Sequence, residues 1–192
     1  MKISSLSTSY IFLAAVFAFA PALRKNPREA VRAATKADVP LLYWTAAAWA
    51  SAISLSKDNP DLVGDLPIVE ALIDRALALD ESFNDGSIHS FLISYEPGRP
   101  AGEGDANERA RKHFDRAVEL SHGKQAGPFL SLAESVDVPK QNVAEFRAML
   151  ARALAINPDA NPDTRLVNLV MQRRARWLLA HTVDLFLNAG PK

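Results

Sequence analysis

The chain has 192 residues, with 22 basic and 22 acidic side chains, so its formal net charge is zero. Charged residues at 23% and apolar residues at 48% describe an ordinary globular chain, and the charge balance argues against a nucleic-acid binder, whose domain is normally basic. There is no cysteine, which excludes a disulfide framework, a thiolate metal site, a cysteine nucleophile and a cysteine-linked lipid anchor.

No charge stands between Lys2 and Arg24, and Tyr10 to Ala20 reads YIFLAAVFAFA. A basic start, an apolar run and small residues at Ala20 and Ala22 fit a secretory signal peptide cleaved after Ala22. Residues 1–22 are therefore expected to be a signal peptide or an apolar N-terminal helix of the fold, with 23–192 forming the domain. The strongly apolar part is about half of the ~20 residues that a membrane span needs. A second uncharged run, Val39 to Ser56, carries Pro40, Thr45, Ser51 and many alanines. A helix without charge on any face is expected to be packed on several sides by protein, with Trp44 and Trp49 as bulky knobs.

Strand signals are almost absent, and prolines punctuate the probable helix starts at Pro27, Pro40, Pro67, Pro128 and Pro162. The periodicity predicts helices at about 27–35, 40–56, 66–79, 86–95, 105–121, 127–135, 140–156 and 162–187. Three of them end alike. Ile73-x-x-Ala76-Leu77-x-Leu79, Phe114-x-x-Ala117-Val118-x-Leu120 and Leu150-x-x-Ala153-Leu154-x-Ile156 share one pattern. Their alanines lie 41 and 36 residues apart, from 76 to 117 and from 117 to 153. A tetratricopeptide period of about 34 residues then needs inserts of about 7 and 2. The larger insert falls naturally in Pro97-Gly98-Arg99-Pro100-Ala101-Gly102-Glu103-Gly104. Ala110, Phe114 and Ala117 have the small-large-small spacing of the second helix of such a repeat. The expected fold is all-α, a helical-hairpin repeat array with a long C-terminal helix, in which neighbouring repeats complete one another's core.

Catalytic chemistry is not visible. Gly102-Glu103-Gly104 lacks the strand and spacing of a phosphate loop. His89, His113, His122 and His181 show no i, i+4 pair and read as surface or half-buried helix residues rather than metal ligands. The serines lack a nucleophile elbow. No enzyme activity, cofactor or metal is expected. The C-terminal helix does hold one constellation. Leu166, Val167, Val170, Trp177, Leu178 and Leu185 fall on one arc at 100° per residue, the expected core face, and Arg174 and His181 fall inside it. A guanidinium within an apolar stripe needs a partner. Arg174 is read as a buried structural ion pair, with the anchoring of an anionic ligand or partner carboxylate as the alternative. Leu179, Val183, Phe186 and Leu187 lie outside the arc, where they either pack a second side of the fold or form a homo-oligomer interface, the latter being the expectation.

Several segments resemble one family. They are Val39-Pro-Leu-Leu-Tyr-Trp44-Thr-Ala-Ala-Ala-Trp49, Asp65-Leu-Pro-Ile-Val69, Arg75-Ala-Leu-Ala-Leu-Asp80-Glu81 and Gly86-Ser-Ile-His89. His113-Phe-Asp-Arg-Ala117 and Asn168-Leu-Val-Met-Gln-Arg-Arg-Ala-Arg-Trp177-Leu-Leu continue the series. From about Phe19 to Leu187 the chain resembles the TatT component of tripartite ATP-independent periplasmic (TRAP) transporters. That resemblance implies a non-enzymatic, periplasmic or membrane-tethered helical-repeat protein that oligomerises. It also implies a hold on the transporter's extracytoplasmic solute-binding subunit and the passing of a small, hydrophobic ligand.

The expected function is a helical-repeat scaffold binding that subunit. Trp44, Trp49, Asn168, Arg174, Trp177 and His181 are the candidate ligand- or partner-binding residues. The alternatives are a periplasmic carrier of a small hydrophobic ligand, with Trp44, Trp49 and Trp177 lining its pocket, and a cytoplasmic peptide-binding co-chaperone. The last normally needs a basic clamp on the first helices of its repeats, and Val39–Ser56 and Gly86–Tyr95 contain no Lys or Arg.

Overall fold

A computed structural model describes residues 21–99 and 103–188. The expected signal peptide or apolar helix lies outside them, apart from Pro21 and Ala22, which are helical together with residues 23–25. The protein is all-α, with no strand among the described residues. It divides into two units, residues 1–81 and 82–192.

The first unit is built on two helices that pack together, α1 (Val39–Leu55) and α2 (Leu66–Leu79). Asp38 reaches back to the Thr35 backbone N–H and hydroxyl at 2.8 Å, which closes the turn before α1. Asn59 caps the short turn Pro60–Val63 between the helices. The segment before α1 runs against α2, where Arg75 donates to the carbonyls of Arg32 and Ala34 and Lys36 pairs with Asp80 at 3.0 Å. α1 buries only one stripe, Val39, Leu42, Ala46 and Ile53, against this layer. The expectation of packing on several sides is thus corrected: Leu41, Trp44 and Leu55 are 66%, 61% and 86% exposed.

Among its described residues the second unit has five helices of six residues or more, and a final short turn. α3 (Phe83–Tyr95) begins with a left-handed turn at Asn84, Asp85 and Gly86. A Cβ on Gly86, whose φ is +87°, would stand 3.1 Å from the Leu120 Cβ, so glycine allows the close approach of α4 (Ala106–Leu120). Glu96 is buried at the end of α3. It accepts from Arg99 at 2.9 Å and from Arg109 at 2.5 Å, while Arg109 also donates to the Glu103 and Gly104 carbonyls. One arginine therefore ties down both sides of the Pro97–Gly104 loop. α5 (Gly127–Leu132) widens into a π-helical turn over Ala133–Asp137 and packs on α6 (Val143–Ala155). α7 (Pro162–Ala180) then packs on α6.

The three matching helix ends are α2, α4 and the C-terminal half of α6, each the second helix of a packed pair. Ile73, Ala76, Phe114, Ala117, Leu150 and Ala153 are all buried. This is compatible with a repeat. The C-terminal helix stops earlier than expected, at Ala180, because His181 leaves helical geometry (φ −104°, ψ 18°) before a final turn, Thr182–Leu185. That break folds Phe186 back onto Phe146, ring centroids 4.9 Å apart.

Candidate functional site

The six singled-out side chains fall in three places. Trp44 and Trp49 line a shallow apolar groove of about 510 Å³ in the first unit, with Thr45, Ala48, Ala52 and Leu62. Trp44 meets Tyr43 edge-on at 5.0 Å. No charged side chain lines this groove among the described residues.

Asn168 is a structural residue, 2% exposed. Its Oδ1 accepts from the Ala126 N–H and its Nδ2 donates to the Lys124 carbonyl, both at 2.9 Å. Gln172, one turn on, donates to the carbonyls of Ala153 at 3.1 Å and Ile156 at 2.6 Å. These amides satisfy backbone groups at the start of α5 and the end of α6 that would otherwise be buried without partners.

The buried stripe of α7 is therefore Asn168, Gln172, Ala175 and Leu178. This overturns the expected core arc. Leu166, Val167, Val170 and Trp177 are 74%, 44%, 53% and 46% exposed. Hydrophobicity misplaced the face because amides, not aliphatic groups, are what the neighbouring helix ends require. Of that arc only Leu178 is fully buried, with Leu185 partly buried. The expected oligomer face is also split, since Phe186 is buried and Leu179 packs on the core, while Val183 and Leu187 are exposed.

Arg174, Trp177 and His181 do come together, on the outside. The Arg174 guanidinium lies 4.5 Å from the Trp177 ring centroid, and the His181 ring stacks on Trp177 at 4.1 Å. Arg174 donates to Glu134 Oε1 through Nη2 at 2.7 Å and Nε at 3.1 Å. The ion pair to a neighbouring helix is present, but it is half-exposed, not buried.

Two features escaped the sequence. His89 is buried, where a surface or half-buried place was expected, and its Nδ1 stands 2.9 Å from His113 Nδ1 across α3 and α4. Among the described residues no group of three or more His, Cys, Asp or Glu is placed to hold a metal ion. Asp137 is the other. It is fully buried at the end of the π turn, 3.6 Å from Arg111, which is itself bound to Glu145 by two short bonds. Burial, and then the charge of Glu145, push the Asp137 carboxyl up to about 7. An acid flanked by Val136 and Val138 was the only hint in the sequence.

Paired helices, buried amides and outward aromatic side chains define an all-helical protein, and no helix among the described residues is long and apolar enough to cross a membrane. The chain belongs to the TRAP transporter T-component family, whose sequence profile matches residues 8–186. An uncharacterized protein of Treponema pallidum (strain Nichols) is 29% identical over 154 residues. That match covers 80% of this chain and 48% of the relative, so the chain spans about half the relative's length. The family is by its description a transporter component, as the sequence resemblance implied.

Proposed function

We propose that the chain is a non-enzymatic scaffold of a TRAP-type uptake system, binding the extracytoplasmic solute-binding subunit through the outward arc of α7. The observation that carries this is the row Leu166, Val170, Arg174 and Trp177, apolar and aromatic surface on a helix expected to hide it. Trp and Arg are the side chains most often found at the energetic centre of interfaces, and a Trp already stacked with Arg174 and His181 loses little freedom on docking.

The test is an affinity pull-down of tagged full-length protein from native cells, with mass spectrometry of the bound proteins and of its own N-terminus. A captured solute-binding subunit, lost with Val170→Asp, is the expected result. An intact Met1 with cytosolic chaperones or peptides instead would place the protein in the cytoplasm and sink the proposal. The same N-terminal measurement separates the two readings of residues 1–22. A mature end near Leu23 makes them a signal peptide. The family match, which begins at residue 8, favours an apolar segment that belongs to the domain.

A second reading, a carrier of a small hydrophobic ligand, is favoured by the Trp44–Trp49 groove. Native mass spectrometry of purified protein would show retained ligand mass if it holds. Homo-oligomerisation is proposed through exposed Val183 and Leu187; a light-scattering mass of one chain at all concentrations would refute it.

A further inference from the structure

The second unit contains a cavity of about 390 Å³ between the end of α6 and the start of α7. Its volume lies in the range of small-molecule sites. Phe129 and Ile156 supply apolar wall, and Arg152 and Lys124 supply positive charge. Among the described residues that line it, none is acidic.

Arg152 is held in an unusual way. Its guanidinium carbon lies 4.5 Å from the Phe129 ring centroid and 5.8 Å from that of Phe114. Two phenyl rings thus flank and restrain the guanidinium, and on this exposed side chain its N–H groups open to solvent, with no carboxylate or carbonyl partner among the described residues. A restrained guanidinium with unused donors is the geometry that accepts a carboxylate through two parallel bonds. Two amides in the lining add further donors. Asn157 and Asn161 each commit Oδ1 to a backbone N–H, of Asp159 and Asp163 at 3.0 Å, which leaves both Nδ2 groups as donors without an acceptor among the described residues. The nearby carboxylate of Asp159 is already engaged by Arg165 at 2.6 Å. The cavity therefore combines two cationic side chains, two amide donors and the Thr164 hydroxyl with apolar wall, and no carboxylate lines it among the described residues.

We infer that this cavity binds a small organic acid, its carboxylate on Arg152 with Lys124 close by, and its apolar body against Phe129 and Ile156. The site lies at the start of α7, away from the Leu166–Trp177 row, and its test reads ligand binding alone, so its failure is distinguishable from a failure of subunit docking.

The test is a 1H–15N NMR titration of the full chain with three probes: phenylacetate, its neutral twin phenylacetamide, and acetate. The expected result is saturable shifts at the Gly123, Ala155 and Asn157 amides with phenylacetate, and binding of the other two about tenfold weaker or less. Arg152→Gln, which removes the charge and keeps a shorter polar side chain, is expected to weaken phenylacetate by about tenfold, the scale of one lost charge-assisted pair. Should that variant fold poorly by circular dichroism, Lys124→Gln at the open rim serves instead, with about threefold weakening. Equal binding of phenylacetamide, an unchanged Arg152→Gln, or no shift at these three amides would each overturn the assignment.

Discussion

Asp137 gives the sharpest test of how the second unit is held together. Its carboxyl is fully buried at the end of the π turn and is pushed up to about 7, first by burial and then by Glu145, while Arg111 and Lys140 pull the other way. In the unfolded chain the same group titrates near 3.8. Between those values the unfolded chain releases a proton that the native one keeps, so stability falls as pH rises through this window and levels off above it. The full shift sets a ceiling of about 4 kcal/mol at 1.36 kcal/mol per unit, and relaxation around the buried charge leaves about 2 kcal/mol. Glu145 acts with the opposite sign. Its hydrogen bond from Arg111 holds it low, so its contribution is lost only as pH falls below the ordinary carboxylate range. Asp137→Asn keeps the shape, removes the titration and leaves Arg111 on Glu145. Urea unfolding between pH 4.5 and 8.5 should show the wild type losing about 2 kcal/mol relative to the variant across that range, a difference that cancels the groups the two share. At pH 8 the variant should be the more stable of the two. A wild type that gains stability from pH 5 to 8, or a variant less stable at pH 8, would refute the reasoning.

Three further outcomes follow from the contacts. Asn168→Ala leaves the Ala126 N–H and the Lys124 carbonyl unpaired and should cost about 2–3 kcal/mol in urea unfolding. Gly86→Ala places a Cβ against Leu120 and Ala117 at a left-handed φ, and should lower the midpoint of thermal unfolding by an amount worth about 2 kcal/mol. Arg174→Ala should change stability by less than about 0.5 kcal/mol, because its pair with Glu134 is half-exposed, while weakening capture of the solute-binding subunit in the pull-down.

Much of the fold was legible in the sequence. Proline at the first turn and a run of matched helix ends located α2 to the residue and most other helices to within about three, whereas the helix expected over 27–35 closes at Ala30 and that over 162–187 closes at Ala180. The alanines at 76, 117 and 153 marked buried crossings because only a small side chain permits them. The faces were less legible. α1 carries no charge, and a hydrophobicity argument gives such a helix no outside; the structure gives it one, bearing Trp44 and Leu55. α7 failed for the converse reason. Asn168 and Gln172 look like surface residues in sequence, and only the position of the α6 carbonyls and the Ala126 amide shows why they face inward. The ladder of Arg174, Trp177 and His181 was found as a spacing and misread as to side. The Arg152 cavity had no signal, since its walls come from three separate stretches of chain.

The amide of Gln172 has a wider effect than satisfying two carbonyls. It serves as a C-terminal cap for α6 that α6 does not itself supply, and it belongs to the helix whose outer side carries Arg174 and Trp177. Ile156, whose carbonyl it grips at 2.6 Å, is also a wall of the Arg152 cavity. The rim of the cavity and the outer row of α7 are therefore clamped by one side chain, like two jaws on a common pin. Any solute that tightened that rim would stiffen the helix presented to a partner, and a bound partner would return the favour at the rim to the same extent.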